Sequence, residues 1–339
     1  MLRILRIAAL AALAAAGLQP ARAAEPYHLR IGWVVAPADL IPLMFLKPGL
    51  AAHAGKTYIP ELTHFTGTST EMTALATGGL DIAALAYSTF ALSIENAGMS
   101  DLRVIADTFQ DGVPGYHTNE FMVRKDSPIH SVADLKGKIL STNETGSAID
   151  IAMLAMLAQH KIPQRSVTVL EIRFPDMKAM LKEKKVDLIP AVAPFGFDPE
   201  LRAIARPIYT QKQAIGRTQM IFNVARAGFL EKHRAVMVDF LEDYLSVLHY
   251  FYDPAHRDEV IRMVAEATKR KPEFYKDWLF TKRDYYRDPN ALPDLAALQE
   301  NLDYQHKLGF IRQSLDVKKY ADLSIVKEAA RRLSRQAGK

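Results

Sequence analysis

Cysteine is absent from all 339 residues. A chain without thiols has no disulfide, no thiolate metal site and no cysteine nucleophile, so its stability must come from its core. Beyond residue 23 no segment reaches about 18 apolar residues without a charge, which leaves no candidate for a spanning helix there. No low-complexity run occurs beyond residue 23, and nearly half the residues are apolar (49%), which argues against disorder. Clustered basic residues of the kind that bind nucleic acid are also lacking; Arg331, Arg332 and Arg335 read as a solvated helix end. No Ser/His/Asp order and no His-x-x-x-His spacing supports hydrolysis or metal chemistry. The expectation is a protein with no catalytic residue, no metal and no cofactor.

What is present begins with MLRILRIAALAALAAAGLQPARA: Arg3 and Arg6, an apolar run from Ile7 to Leu18, and Ala21-Arg22-Ala23. This is the pattern of a secretory signal peptide over residues 1–23, with cleavage near Ala24. Removing it takes three arginines and no acid, lowering the formal charge from +5 to +2. No lipoprotein cysteine follows the leader, so release into the periplasm is expected. The remaining chain is long enough for two lobes.

Strands and helices alternate along it. LRIGWVV (29–35) reads as a buried strand, and a helix is expected from Pro37 towards Gly55 although Pro42 and Pro48 oppose it. A strand over 58–65, a helix over 69–77 stopped by Gly78-Gly79, a strand over 81–86, a helix over 89–97 and a strand over 102–109 follow. DGVPGYHTNE (111–120) interrupts the rhythm with turn formers. A second series then runs through strands at 121–124, 139–141, 167–172 and 186–192 with helices at 148–160 and 177–184. Such alternation implies α/β units with parallel sheets. The periodic VMVDFLEDYLSVLHYFY should pack back on one lobe. Glu71-Met-Thr-Ala-Leu with Asp81-Ile-Ala-Ala-Leu is echoed by Asp176-Met-Lys-Ala-Met with Asp187-Leu-Ile-Pro-Ala, as two similar lobes would produce.

Three segments carry a family likeness: FTGTSTEMTALATGGLDIA, VRKDSPIHSVADLKGKILSTNETGS and YADLSIVKEAARRL. Together, over about Tyr27 to Leu333, the chain resembles the periplasmic substrate-binding proteins of ABC importers for nitrate, sulfonate and taurine, a group that includes thiamine-pyrimidine binders. The resemblance implies a two-lobed Venus-flytrap fold of type II with two hinge crossovers: lobe 1 over 27–114 and 226–339, lobe 2 over 115–225. It also implies a small-molecule ligand in the cleft, an inner-membrane ABC permease as partner, and no enzymatic activity. A monomer is expected.

In open α/β sheets ligands sit beyond the carboxyl ends of the strands, where helix N-termini offer unpaired N–H groups. Thr68-Ser69-Thr70-Glu71 reads as a capping box. Thr145, Gly146 and Ser147 open a helix in the second half and read as its counterpart, so Thr68, Ser69, Thr145, Gly146 and Ser147 are candidate ligand contacts. Trp33, Tyr87, Ser88 and Phe195 lie in loops or helix starts at the same sheet edges, and His117, in the hinge segment, is a candidate hydrogen-bond donor. Arg173 is the candidate charge partner, with Arg217 as alternative. The density of rings (Trp33, Phe65, Tyr87, Tyr116, Phe195, Phe197) suggests an organic anion, sulfonate or carboxylate, with an apolar or aromatic body. A neutral heterocycle such as a thiamine-precursor pyrimidine is the alternative ligand. Presentation of the closed form to a chemoreceptor or kinase is the alternative role, and an enzyme on the same fold the remote one.

Overall fold

Strand β1 (Tyr27–Trp33) buries Leu29 and Ile31 and pairs in parallel with β2 (Tyr58–His64), Tyr27 opposite Tyr58 and Trp33 opposite His64. The computed structural model describes residues 25–337, and the predicted leader lies outside the described residues. A parallel bridge between Ile31 and Ile82 joins β1 to β3 (Ala83–Ala86), all four of whose residues are buried. β4 (Leu102–Asp111) completes the first series. The second lobe carries β5 (Glu120–Arg124), β6 (Ile139–Thr142), β7 (Thr168–Glu171), β8 (Leu188–Ala191) and β9 (Ala205–Thr210) in the order β7-β6-β8-β5-β9. The chain then returns as β10 (Thr218–Arg226), which inserts between β3 and β4, antiparallel to both. The expected boundary at 225 is therefore corrected: from Thr218 onward the chain already belongs to the sheet of lobe 1.

The two sheets follow one plan, β2-β1-β3-β10-β4 against β7-β6-β8-β5-β9. Each contains one strand of opposite direction, β10 or β5, and each is the first strand after the chain crosses from the other lobe. The wholly parallel sheets expected from the βα rhythm are corrected accordingly. Helix α1 (Thr68–Ala76) links β2 to β3, α2 (Tyr87–Glu95) follows β3 directly, α3 (Ala148–Gln159) links β6 to β7, and α4 (Phe174–Lys182) links β7 to β8. The internal echo thus has a structural meaning, since both copies are the helix and strand leading into the third position of the sheet order. It also means that the topological counterpart of α1 is α4, not α3.

Where the sequence predicts a helix after Pro37, only a 3₁₀ turn forms, Ile41–Leu43. Pro42 and Pro48 cannot donate to a helical ladder. The helix α5 (Arg234–Tyr252) does pack on lobe 1, burying Met237, Phe240, Leu241, Tyr244, Leu245, Leu248 and Phe251, with α6 (Ser324–Ala337) against it. The crossovers are tied together: Asp111 accepts from the Asn119 amide at 2.8 Å, and the Gln211 amide donates to the Asn119 carbonyl at 2.8 Å. A segment near the C-terminus bridges the lobes. Tyr285 Oη accepts from the Ala193 amide at 3.0 Å and donates to Asn119, while Trp278 stacks on Phe197 at 4.3 Å.

Candidate functional site

The carboxyl ends of β1, β3, β6 and β8 meet at a cleft between the lobes. Lobe 1 contributes Val34, Val35 and Asp39 from the turn after β1, Gly67 and Thr68 from the start of α1, Ala84 and Ala86 of β3, Phe109 of β4, and Met220 and Ile221 of β10. Lobe 2 contributes Asn143, Ser147, Ala148 and Ile149 around the start of α3, Phe174 of α4, and Val192 and Ala193. Asn119 of the first crossover and Tyr285 close the back. The inner chamber has no lysine or arginine among its lining residues. Phe109 and Tyr285 stack at 4.3 Å to form one apolar wall.

Ser147 caps α3. Its Oγ accepts from the Asp150 amide at 3.2 Å and donates to Asn143 Oδ1 at 2.9 Å, while Asp150 accepts from the Gly146 amide at 2.9 Å. Gly146 holds φ of 76°, where a Cβ would be strained, and this turn delivers the cap. The next two amides, of Ala148 and Ile149, have no partner within the helix and lie in the cleft lining. At α1 the predicted capping box does not form. Gly67 is the cap and makes no side-chain bond, Thr68 is the first helical residue, and its Oγ1 pairs with Thr89 Oγ1 at 2.6 Å. Glu71 points inward instead of back to the cap: it is fully buried and accepts from the Ala84 amide at 2.6 Å. Packing of Glu71 over Gly32 has overridden the local pattern.

Of the predicted contacts, Thr68 and Ser147 line the inner chamber. Trp33, Arg173 and Phe195 line an outer chamber that shares Val34, Val35 and Phe174 with the inner one and also takes in Phe65, Arg270 and Tyr275. Arg173 is largely exposed there and bonded to Asp176. The remaining predicted residues are placed elsewhere. Ser69 and Gly146 are absent from both linings. Tyr87 and Ser88 are buried inside lobe 1 because β3 runs straight into α2, although Tyr87 Oη reaches the Ala148 carbonyl at 3.2 Å. Thr145 faces solvent and holds Glu171 through its amide at 2.8 Å. His117 sits in a separate depression against Phe197 and Tyr285. Arg217 is ion-paired with Asp294.

Asp39, Asn119, Asn143, Phe109, Met220, Ile221 and Tyr285 escaped the sequence reading. Tyr285 has no local signal, because it arrives from far along the chain. Asp39 stands in an AlaProAlaAsp turn that reads as a helix start. A further cluster, His53, Asp239 and Glu242, brings its ligand atoms within 4.8 Å of one another, but Arg332 and Gln336 already engage the two carboxylates at 3.0 and 2.6 Å.

Burial dominates the titration of the interior acids. It raises Asp39, Asp107 and Asp111 to about 7, against amide, side-chain and cationic partners that pull each one down. A carboxyl raised on folding keeps a proton the unfolded chain has lost. Its stabilisation is therefore present below the ordinary value of 3.8 and is lost as pH rises through about 7. His117, pushed down to about 3 by burial and then by Arg202, acts in the opposite sense between 6.5 and 3. Three acids outweigh one histidine. The melting temperature is expected to fall by roughly 5 °C or more between about pH 5.5 and about pH 8.5. Calorimetric scans of the ligand-free protein check this, and a rise over that range would contradict it.

Two α/β lobes of one plan, joined by paired crossovers around a cleft at the strand ends, make this a periplasmic-binding-protein fold of the two-crossover kind. Solved structures share it. The alkanesulfonate-binding protein SsuA from Xanthomonas axonopodis pv. citri is 18% identical with a TM-score of 0.70, covering 89% of this chain and 100% of that one. The periplasmic nitrate-binding protein NrtA from Synechocystis PCC 6803 is 16% identical with a TM-score of 0.71, covering 93% and 91%. The desulfurization enzyme DSZB is 16% identical with a TM-score of 0.64, covering 90% and 99%. The chain itself belongs to the NMT1-like family, whose model matches residues 22–265.

Proposed function

We propose that this protein is the periplasmic solute-binding component of an ABC importer, a non-catalytic receptor that captures a small organic anion between its lobes and presents it to a permease. The observation that carries this reading is that the N-termini of α1 and α3, from opposite lobes, open onto one cleft whose other walls are largely apolar. Unpaired helix-start amides favour an anionic oxygen, and rings such as Phe109, Phe174 and Tyr285 favour an apolar body beside it. A bare inorganic anion makes no use of those rings. SsuA and NrtA, binders of alkanesulfonates and nitrate, lend the fold-level analogy. Although DSZB shows that the fold supports an enzyme, Ser147 here is engaged by Asn143 and the Asp150 amide and by no base.

The absence of a basic side chain from the inner lining, together with the presence of Asp39, favours a second reading, a neutral heterocycle. A thermal-shift screen against sulfonates, aromatic and aliphatic carboxylates, nitrate and neutral pyrimidines separates the two. Organic anions at 100 times Kd should add about 2.7 kcal/mol to stability. A rise with neutral pyrimidines alone would overturn the anion reading.

A further inference from the structure

Resting on the reading of the cleft as the ligand site, we propose that Asp39 is a specificity-determining residue: it selects organic anions whose apolar body carries an N–H donor remote from the anionic group, aromatic amines among them.

Asp39 is 4% exposed and lines the inner chamber. Backbone amides hold it. Ile41 donates to Oδ1 at 3.1 Å, and Val34 adds a second amide. Among the described residues no side chain donates to it. The cation closest in role, Arg287, is spent on other acceptors: Asp284 and Tyr252 at 3.1 Å, and the carbonyls of Ala38 and Pro37 at 3.0 and 3.3 Å. Arg287 therefore fixes the turn that carries Asp39 without pairing with it, although its charge still favours the ionised carboxyl. Glu71, whose Oε2 is buried without a partner, adds a second carboxyl whose interaction with Asp39 raises its own proton affinity.

A buried carboxyl held by backbone amides alone is costly to ionise, and a donor brought to it from the chamber stabilises the ionised form. Closure of the lobes would remove the remaining water and leave the ligand as the partner. An anion without a donor would leave the ionised carboxyl unrelieved and would bind against it wherever it carries its charge. The same chamber offers the helix-start amides of α3 from lobe 2 and the Asp39 carboxyl from lobe 1. The ligand that satisfies both is an anion with an amine or ring N–H at its other end, and the stacked pair Phe109 and Tyr285 suits an aromatic body between them.

The test is calorimetric titration of the mature protein with two matched pairs: 4-aminobenzoate against benzoate, and 4-aminobenzenesulfonate against benzenesulfonate. Wild type should bind the amino member roughly 10- to 100-fold more tightly, the range for a hydrogen bond to a charged group. Asp39→Asn, and Asp39→Ser should the amide variant fail to fold, should reduce that advantage to about 3-fold or less. Equal binding of both members by wild type, or an advantage that survives in both variants, overturns the proposal. If no member of either pair binds wild type, the proposal falls together with the anion reading. If the amino preference depends on Asp39 but a bulky residue at Ser147 leaves affinity unchanged, Asp39 stands and the helix-end clamp fails.

Discussion

Replacing Ser147 with tryptophan lowers affinity for the tightest ligand of the screen by about 100-fold or more, while the protein stays folded. Ser147 is 5% exposed and lines the chamber from lobe 2. Asn143 and Thr142 close the space behind its hydroxyl, at 2.9 and 3.4 Å. An indole at this position must project between the lobes, where it occupies the volume the ligand needs and blocks the approach of Thr68 and Gly67. Loss of the cap itself costs about 1 kcal/mol, too little to unfold a domain of this size. Ser147→Ala separates the two effects, since it removes the cap without filling the cleft and should change affinity by about 10-fold at most. Calorimetric titration alongside thermal unfolding reads both. Unchanged affinity in the tryptophan variant would take the start of α3 out of the site.

The second large effect is on stability. Arg287→Ala is expected to cost roughly 3–5 kcal/mol, because Asp284 would be left as an uncompensated buried charge and the carbonyls of Pro37 and Ala38 would lose their donor. For a chain of this size the melting temperature falls by on the order of 10 °C. Arg287→Lys should recover little, since a single ammonium cannot reproduce the planar fork that reaches a carboxylate, a phenol and two carbonyls. Combining Arg287→Met with Asp284→Asn should recover much of the loss by removing both charges. Urea and thermal melts measure the series, and a loss under about 1 kcal/mol for the alanine variant would mean that water readily replaces the guanidinium. Affinity should fall as well, because the same guanidinium anchors the turn from Val34 to Asp39.

Element type was largely legible in the chain. The alternation of β-rich runs with short amphipathic helices, the glycine stop after α1 and the turn formers at 111–119 yielded two α/β units and their hinge, within a residue or two at most ends. The second helix start was legible too, because a Gly-Ser pair before a helix has a local cause: a left-handed turn and a hydroxyl cap. The capping box at α1 was misleading for a related reason. Its residues suit a local bond, but Glu71 finds a buried amide on β3, and only the fold brings Ala84 there.

The residues that line the cleft divide along the same boundary. The sequence by itself determined the βα rhythm, the hinge, the family pattern and Ser147 at a helix start, all of which depend on neighbours a few positions away. Tertiary structure alone decided that β10 enters the middle of the first sheet, that Tyr285 reaches across to Asn119 and Ala193, and that Asp39 ends as a carboxyl in an apolar wall. These facts depend on strand pairing and burial between segments far apart in the chain, and a local pattern of side chains carries no record of which distant backbone will lie beside it.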